Sequence, residues 1–172
     1  VERRIRMWRF WWKIFGCRLR NELQDNTFSY TLGAGGVATG SKGVITININ
    51  RLVQNAVRNK RDISECVAEQ VEKVHKYLLA YNEIVKDNFN AHLLTVYDAG
   101  FISLEKQFLT CGVNGTAEGA EFLGIEISNN ERYIHYIESI LKPIYELNKR
   151  DRTDEIMFNC EFVPKLFGDL AA

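Results

Sequence analysis

Four cysteines and one glycine-rich stretch carry most of the chemistry this sequence offers. Cys17 stands in Gly16-Cys17-Arg18-Leu19-Arg20, and guanidinium groups turned toward a sulfur favour thiolate over thiol. The alternative is a small buried hydrophobe, an ordinary use of a free cysteine. Residues 33–43, GAGGVATGSKG, present many backbone amides without side-chain obstruction, and such a loop can cradle phosphate. Tight packing of backbone against backbone explains the same glycines equally well. A P-loop is excluded, because the Gly-x-x-x-x-Gly-Lys-Ser/Thr spacing is not met and a strand pattern rather than a helix follows. Cys160 and Glu161 are neighbours in an alternating run, so a regular strand turns only one of them toward any site. Cys111, ahead of Gly112, reads as the end of its strand, where active-site residues of α/β folds gather. Each of these thiols also fits a plain core position. His75, His92 and His135 form no metal constellation and the cysteines never form Cys-x-x-Cys, so no metal site is expected.

The elements that must position these residues follow from periodicity. The run VITINI, residues 44–49, alternates Ile45, Ile47 and Ile49 against Val44, Thr46 and Asn48, which predicts a strand. A short helix is expected from Leu52 to Val57. Asp62 and Glu65 have capping-box spacing, and Ile63, Val67, Val71, Val74, Leu78, Tyr81 and Val85 recur every three or four residues. That pattern predicts a helix of about seven turns. A strand over Gln107 to Gly112 leads to a helix over Ala117 to Leu123, which Gly124 is placed to end in a left-handed cap. Ser128 and Glu131 read as a second capping box for a helix that Pro143 is expected to kink. The last alternating run sets Phe158, Cys160 and Phe162 against Met157, Asn159, Glu161 and Val163. Strand, long helix, strand, helices, strand is an α/β order, and each long crossover makes the next strand parallel. Three strands cannot close a barrel, so the sheet is open or its remainder lies elsewhere.

Composition narrows the partners. With 172 residues and 46% of them hydrophobic, the chain supports one ordinary core. Twenty-two basic residues balance 22 acidic ones, which removes any bulk argument for nucleic acid. Residues 1–20 mix seven Lys/Arg with five aromatics, a composition that also suits an anionic membrane surface. Helical spacing of Ile5, Trp8, Trp11, Trp12 and Phe15 fits a core-facing helix better, and no run of about eighteen apolar residues occurs, so no membrane partner is expected. Free, scattered cysteines point to a reduced, cytoplasmic setting.

Longer runs of text carry a resemblance. GCRLRNELQDNTFSYTLGAGGVATGSKGVITININRLVQ, FISLEKQFLTCGVNGTAEGAEFLGIEIS, IYELNK and MFNCEFVP resemble the catalytic subunit of anaerobic (class III, glycyl-radical) ribonucleoside-triphosphate reductases, over roughly residues 16–164. The resemblance implies an incomplete portion of a ten-stranded α/β barrel of the glycyl-radical-enzyme type. It also implies conversion of ribonucleotides to deoxyribonucleotides. Cys17, before Arg-Leu, then corresponds to the cysteine that becomes a thiyl radical and removes the 3′ hydrogen of the ribose; Cys111 and Cys160 are the additional candidate thiols, on their strand positions alone. Gly35, Gly36, Ser41 and Glu161 are the expected substrate-binding residues. The family's electrons come from formate or a thiol system.

The same resemblance divides the chain into a basic aromatic segment (residues 1–15), a partial barrel domain (16–164) and a divergent tail (165–172). Departures include Cys160 where the family carries Thr, and Lys165-Leu166 where it carries Ala-Glu. The family's glycyl-radical segment and four-cysteine zinc site have no counterpart here, so no cofactor is expected within this chain. Both belong with a C-terminal part, the radical being installed by a SAM-dependent iron–sulfur activating enzyme. Implied partners are ribonucleoside triphosphates, the remainder of the subunit, that activating enzyme and a second copy, since family members are usually homodimeric. On this reading the chain alone is inactive. The competing class is a non-catalytic remnant or interaction module derived from the same family.

Overall fold

The computed structural model describes residues 40–162. Three parallel strands, β1 (Gly40–Asn48), β2 (Gln107–Asn114) and β3 (Met157–Phe162), lie in the order β1-β2-β3. Two crossovers connect them. The first holds α1 (Ile49–Arg58), α2 (Ile63–Asn90) and the single turn α3 (Thr95–Asp98); the second holds α4 (Thr116–Phe122) and α5 (Glu131–Arg150). The α/β order and the parallel strands agree with the periodicity, and the described sheet is open.

One core joins the sheet to its crossovers. Val67, Val71, Val74 and Leu78 of α2 and Ile137, Ile140, Leu141 and Ile144 of α5 pack against Ile47, Leu109, Cys111, Val113 and Phe158. These sheet residues share one face, because register partners in a parallel sheet point the same way and successive residues alternate. His75 is also buried here, stacked on Phe158 with ring centroids 4.0 Å apart. Its Nδ1 lies 2.7 Å from Asp151 Oδ2 and its Nε2 lies 2.9 Å from Asn148 Oδ1, which ties α2 to the C-terminal end of α5.

Local signals explain most boundaries. The Asp62 carboxylate accepts from the Glu65 amide at 3.0 Å, the expected N-cap of the long helix. Gly124 has φ +63°, the left-handed conformation expected after α4. Four expectations need correction. α1 begins at Ile49 rather than Leu52, because the Asn48 side chain caps it by accepting from the Arg51 amide, so Ile49 is a buried helix residue and not the last strand position. The cap of α5 is Asn130, which accepts from the Tyr133 amide at 2.8 Å; Ser128 only accepts from the Asn130 amide group. β2 runs on to Asn114, so Cys111 sits mid-strand and not at its end. Tyr81 stands outside the core, 45% exposed, while its ring lies against Gly43. Pro143 is buried within α5, which continues through it to Arg150.

Candidate active site

A bulge decides which face of the sheet Ser41 joins. Ser41 pairs with Phe108 and Gly43 with Leu109, so Lys42 is the extra residue in β1. Strict alternation would put Ser41 on the same face as Gly43 and Ile45, toward the helices. The bulge reverses the parity, and Ser41 joins Phe108 and Thr110 on the opposite face. There the Thr110 hydroxyl lies 2.7 Å from Ser41 Oγ. Ser41 Oγ in turn lies 3.0 Å from Gly43 O and 3.3 Å from Phe108 O. Lys42 leaves this face: its ammonium donates to Leu104 O at 3.3 Å, and burial followed by the nearby Lys86 holds its pKa below the ordinary lysine value.

Register extends the same face across β3. Asn159 pairs with Thr110, and Glu161 pairs with Gly112, which pairs with Thr46. Ser41, Thr46, Thr110, Asn159 and Glu161 therefore lie on the face turned away from the core of α2 and α5, a polar strip beside the apolar Val44, Phe108 and Met157. Asn159 Oδ1 is buried without a hydrogen-bond partner, a costly state for an amide oxygen.

The thiols go to the other side. Cys111 and Cys160 are register partners, with Ile45 completing the row, and all three belong to the helix-packed core. Burial pushes the Cys111 thiol up to about 12. Burial likewise raises Cys160, with the neighbouring Cys111 and Glu161 adding to the effect. Both are held as neutral thiols, the form suited to packing. Cys66 lies in the first turns of α2 and is partly exposed.

Of the residues expected at the site, Ser41 and Glu161 thus share one face, and Cys111 and Cys160 share the opposite one. Cys17, Gly35 and Gly36 lie outside the described residues. Thr110 and Asn159 were not singled out from sequence; their only sequence signal is a polar residue inside an otherwise apolar strand. Among the described residues no group of three or more His, Cys, Asp or Glu side chains is placed to hold a metal ion, and no helix is long and apolar enough to cross a membrane.

Known proteins resemble this arrangement. The sequence profile of a family described as anaerobic ribonucleoside-triphosphate reductase matches residues 8–165. The chain is similar to the anaerobic ribonucleotide reductase from Thermotoga maritima crystallised with citrate in the active site, at 27% identity and TM-score 0.68, over 75% of this chain and 25% of that one. The Thermotoga maritima reductase in complex with dATP and CTP gives 27% identity and TM-score 0.66, over 72% of this chain and 22% of that one. A third structure of that reductase, with glycerol in the active site, is 23% identical at TM-score 0.68 over 83% of this chain and 24% of that one, a likeness of fold alone. No curated protein sequence matches the chain. The chain spans about a quarter of the length of the solved reductase it matches.

Proposed function

Because the chain belongs to the anaerobic ribonucleoside-triphosphate reductase family, we propose that it is the radical-cysteine portion of such an enzyme and acts only with the remainder of the subunit. The observation that carries this reading is the division of the sheet. Its polar strip of Ser41, Thr110, Asn159 and Glu161 faces away from the helices, while Cys111 and Cys160 are spent on the core. In a closed ten-stranded barrel the helices lie outside, and the strip would then line the interior. Complexes of the Thermotoga maritima enzyme with dATP and CTP support nucleotides as ligands of this family. We assign ribonucleoside triphosphates as substrates here, with Ser41 and Glu161 from the strip and Gly35 and Gly36 from the glycine-rich loop as binding residues.

The chemistry then falls to Cys17. As a thiyl radical its sulfur takes the 3′ hydrogen of the ribose, becoming a thiol and leaving a carbon radical on the sugar. The 2′ hydroxyl takes up a proton and departs as water, two electrons and a proton from formate or a dithiol reduce the sugar, and the hydrogen returns to the 3′ carbon, regenerating the thiyl radical. This chain's task is to hold one sulfur against one hydrogen and keep other hydrogen donors away. The family's zinc site has no donor set among the described residues, and the radical source belongs to the remainder of the subunit. A radical-SAM activating enzyme, a second subunit and a cytoplasmic, oxygen-free setting complete the proposal. The alternative reading is a non-catalytic remnant or interaction module derived from the same family.

Anaerobic assay separates the two. The purified chain alone should form no deoxyribonucleotide. Supplied with the remainder of the subunit and its activating enzyme, it should form product, and Gly35→Val with Gly36→Val should weaken substrate binding. Absence of product from that assembly, with the glycyl radical present, would decide for the remnant.

A further inference from the structure

We infer that Thr110 is a positioning residue that fixes Ser41 as a hydrogen-bond acceptor, so that the ligand group recognised there is a donor such as a sugar hydroxyl, and not a phosphate or carboxylate. The inference rests on the assignment of Ser41 to the nucleotide site and says which part of the nucleotide Ser41 meets.

Proton bookkeeping on two hydroxyls carries it. Each has one proton to donate and two lone pairs. Thr110 is 0% exposed, and its hydroxyl lies 2.7 Å from Ser41 Oγ. Were Ser41 the donor in that contact, the buried Thr110 proton would lack an acceptor and carry the full penalty of desolvation. Thr110 therefore donates. The Ser41 proton is directed to backbone, where Gly43 O at 3.0 Å and Phe108 O at 3.3 Å accept it. One Ser41 lone pair remains, and the side chain is exposed.

A second observation points to the same class of ligand. Asn159, the register partner of Thr110 on β3, has its Oδ1 buried without a donor. A remaining Ser41 lone pair beside a donor-less amide oxygen matches the hydroxyl-rich edge of a ribose better than an anion. Lys42, the nearest cation in sequence, is turned to Leu104 O and offers no compensation.

The test uses the reductase assembled with the rest of its subunit. A ribonucleoside triphosphate and its 2′,3′-dideoxy counterpart are titrated against wild type, Ser41→Ala, Thr110→Val and Thr110→Ser, with a thermal melt of each to establish folding. Wild type should prefer the ribonucleotide. Ser41→Ala and Thr110→Val should each lower that preference about tenfold, leave dideoxynucleotide affinity unchanged, and Thr110→Ser should restore it. Should Thr110→Val fail to fold, Thr110→Ala carries the same comparison. Preference kept in the Thr110 variant but lost in Ser41→Ala overturns the inference and leaves Ser41 in the site. Preference kept in Ser41→Ala overturns both. Equal loss of the two nucleotides in the Thr110 variant makes Thr110 purely structural and also overturns it.

Discussion

At the scale of single residues, the three described thiols, alike in chemistry, are separated by their surroundings. Cys111 and Cys160 are register partners on the helix-packed face, and burial keeps both protonated. The folded-state pKa of Cys111, about 12, lies above the value of about 8.5 for an unfolded thiol. A raised thiol pKa means the fold favours the neutral form. Stability from this group is therefore complete below about pH 8.5 and declines as pH rises toward 12. Cys111→Ala should cost about 1 kcal/mol near pH 7 through lost packing. Its melting temperature should then converge on that of the wild type between pH 9 and 11, as the wild type loses the thiol's contribution. A constant gap between the two melting curves across that range would mean that Cys111 is not desolvated as described. Cys17 lies outside the described residues, and its reading rests on its Gly-Cys-Arg-Leu text.

At the scale of elements, what the sequence shows depends on how local the cause is. The N-cap at Asp62, the left-handed Gly124 and the alternation of Ile45 and Ile47 are decided within a few residues, and each is visible in the text. Competition between neighbouring caps is less visible. Both Ser128 and Asn130 are good caps, and Asn130 wins with its side chain on the Tyr133 amide while also donating to Glu126 O at 2.9 Å. Asn130→Ala should destabilise the fold by about 1 kcal/mol, and Ser128→Ala by clearly less. Equal losses in chemical denaturation would restore Ser128 to the capping role. The candidate site was the least legible part, for a nonlocal reason. Period-two reading puts Ser41 with Gly43 and Ile45, and only pairing with a strand some seventy residues away shows the bulge at Lys42 that turns it over. The same pairing brings Thr110 between Ser41 and Asn159, a juxtaposition that no spacing along the chain records.

At the scale of the whole molecule, the described helices pack on one face of a parallel sheet, and parallel sheets are generally covered on both faces. The chain's share of its solved relatives, about a quarter, agrees with a part of a larger catalytic subunit. The proposed reaction rests on membership of the family, and the proposed role of Cys17 within it is the step most open to test. The most direct test therefore replaces Cys17 in the assembled, activated reductase, with Cys66→Ser as the control. Electron paramagnetic resonance of the glycyl radical is read beside deoxyribonucleotide formation. The account predicts that Cys17→Ser retains the glycyl radical signal and forms no product, because a hydroxyl is a far poorer hydrogen-atom relay than a thiol, while Cys66→Ser keeps most activity. Substantial product from Cys17→Ser would contradict it and move the radical thiol to another residue.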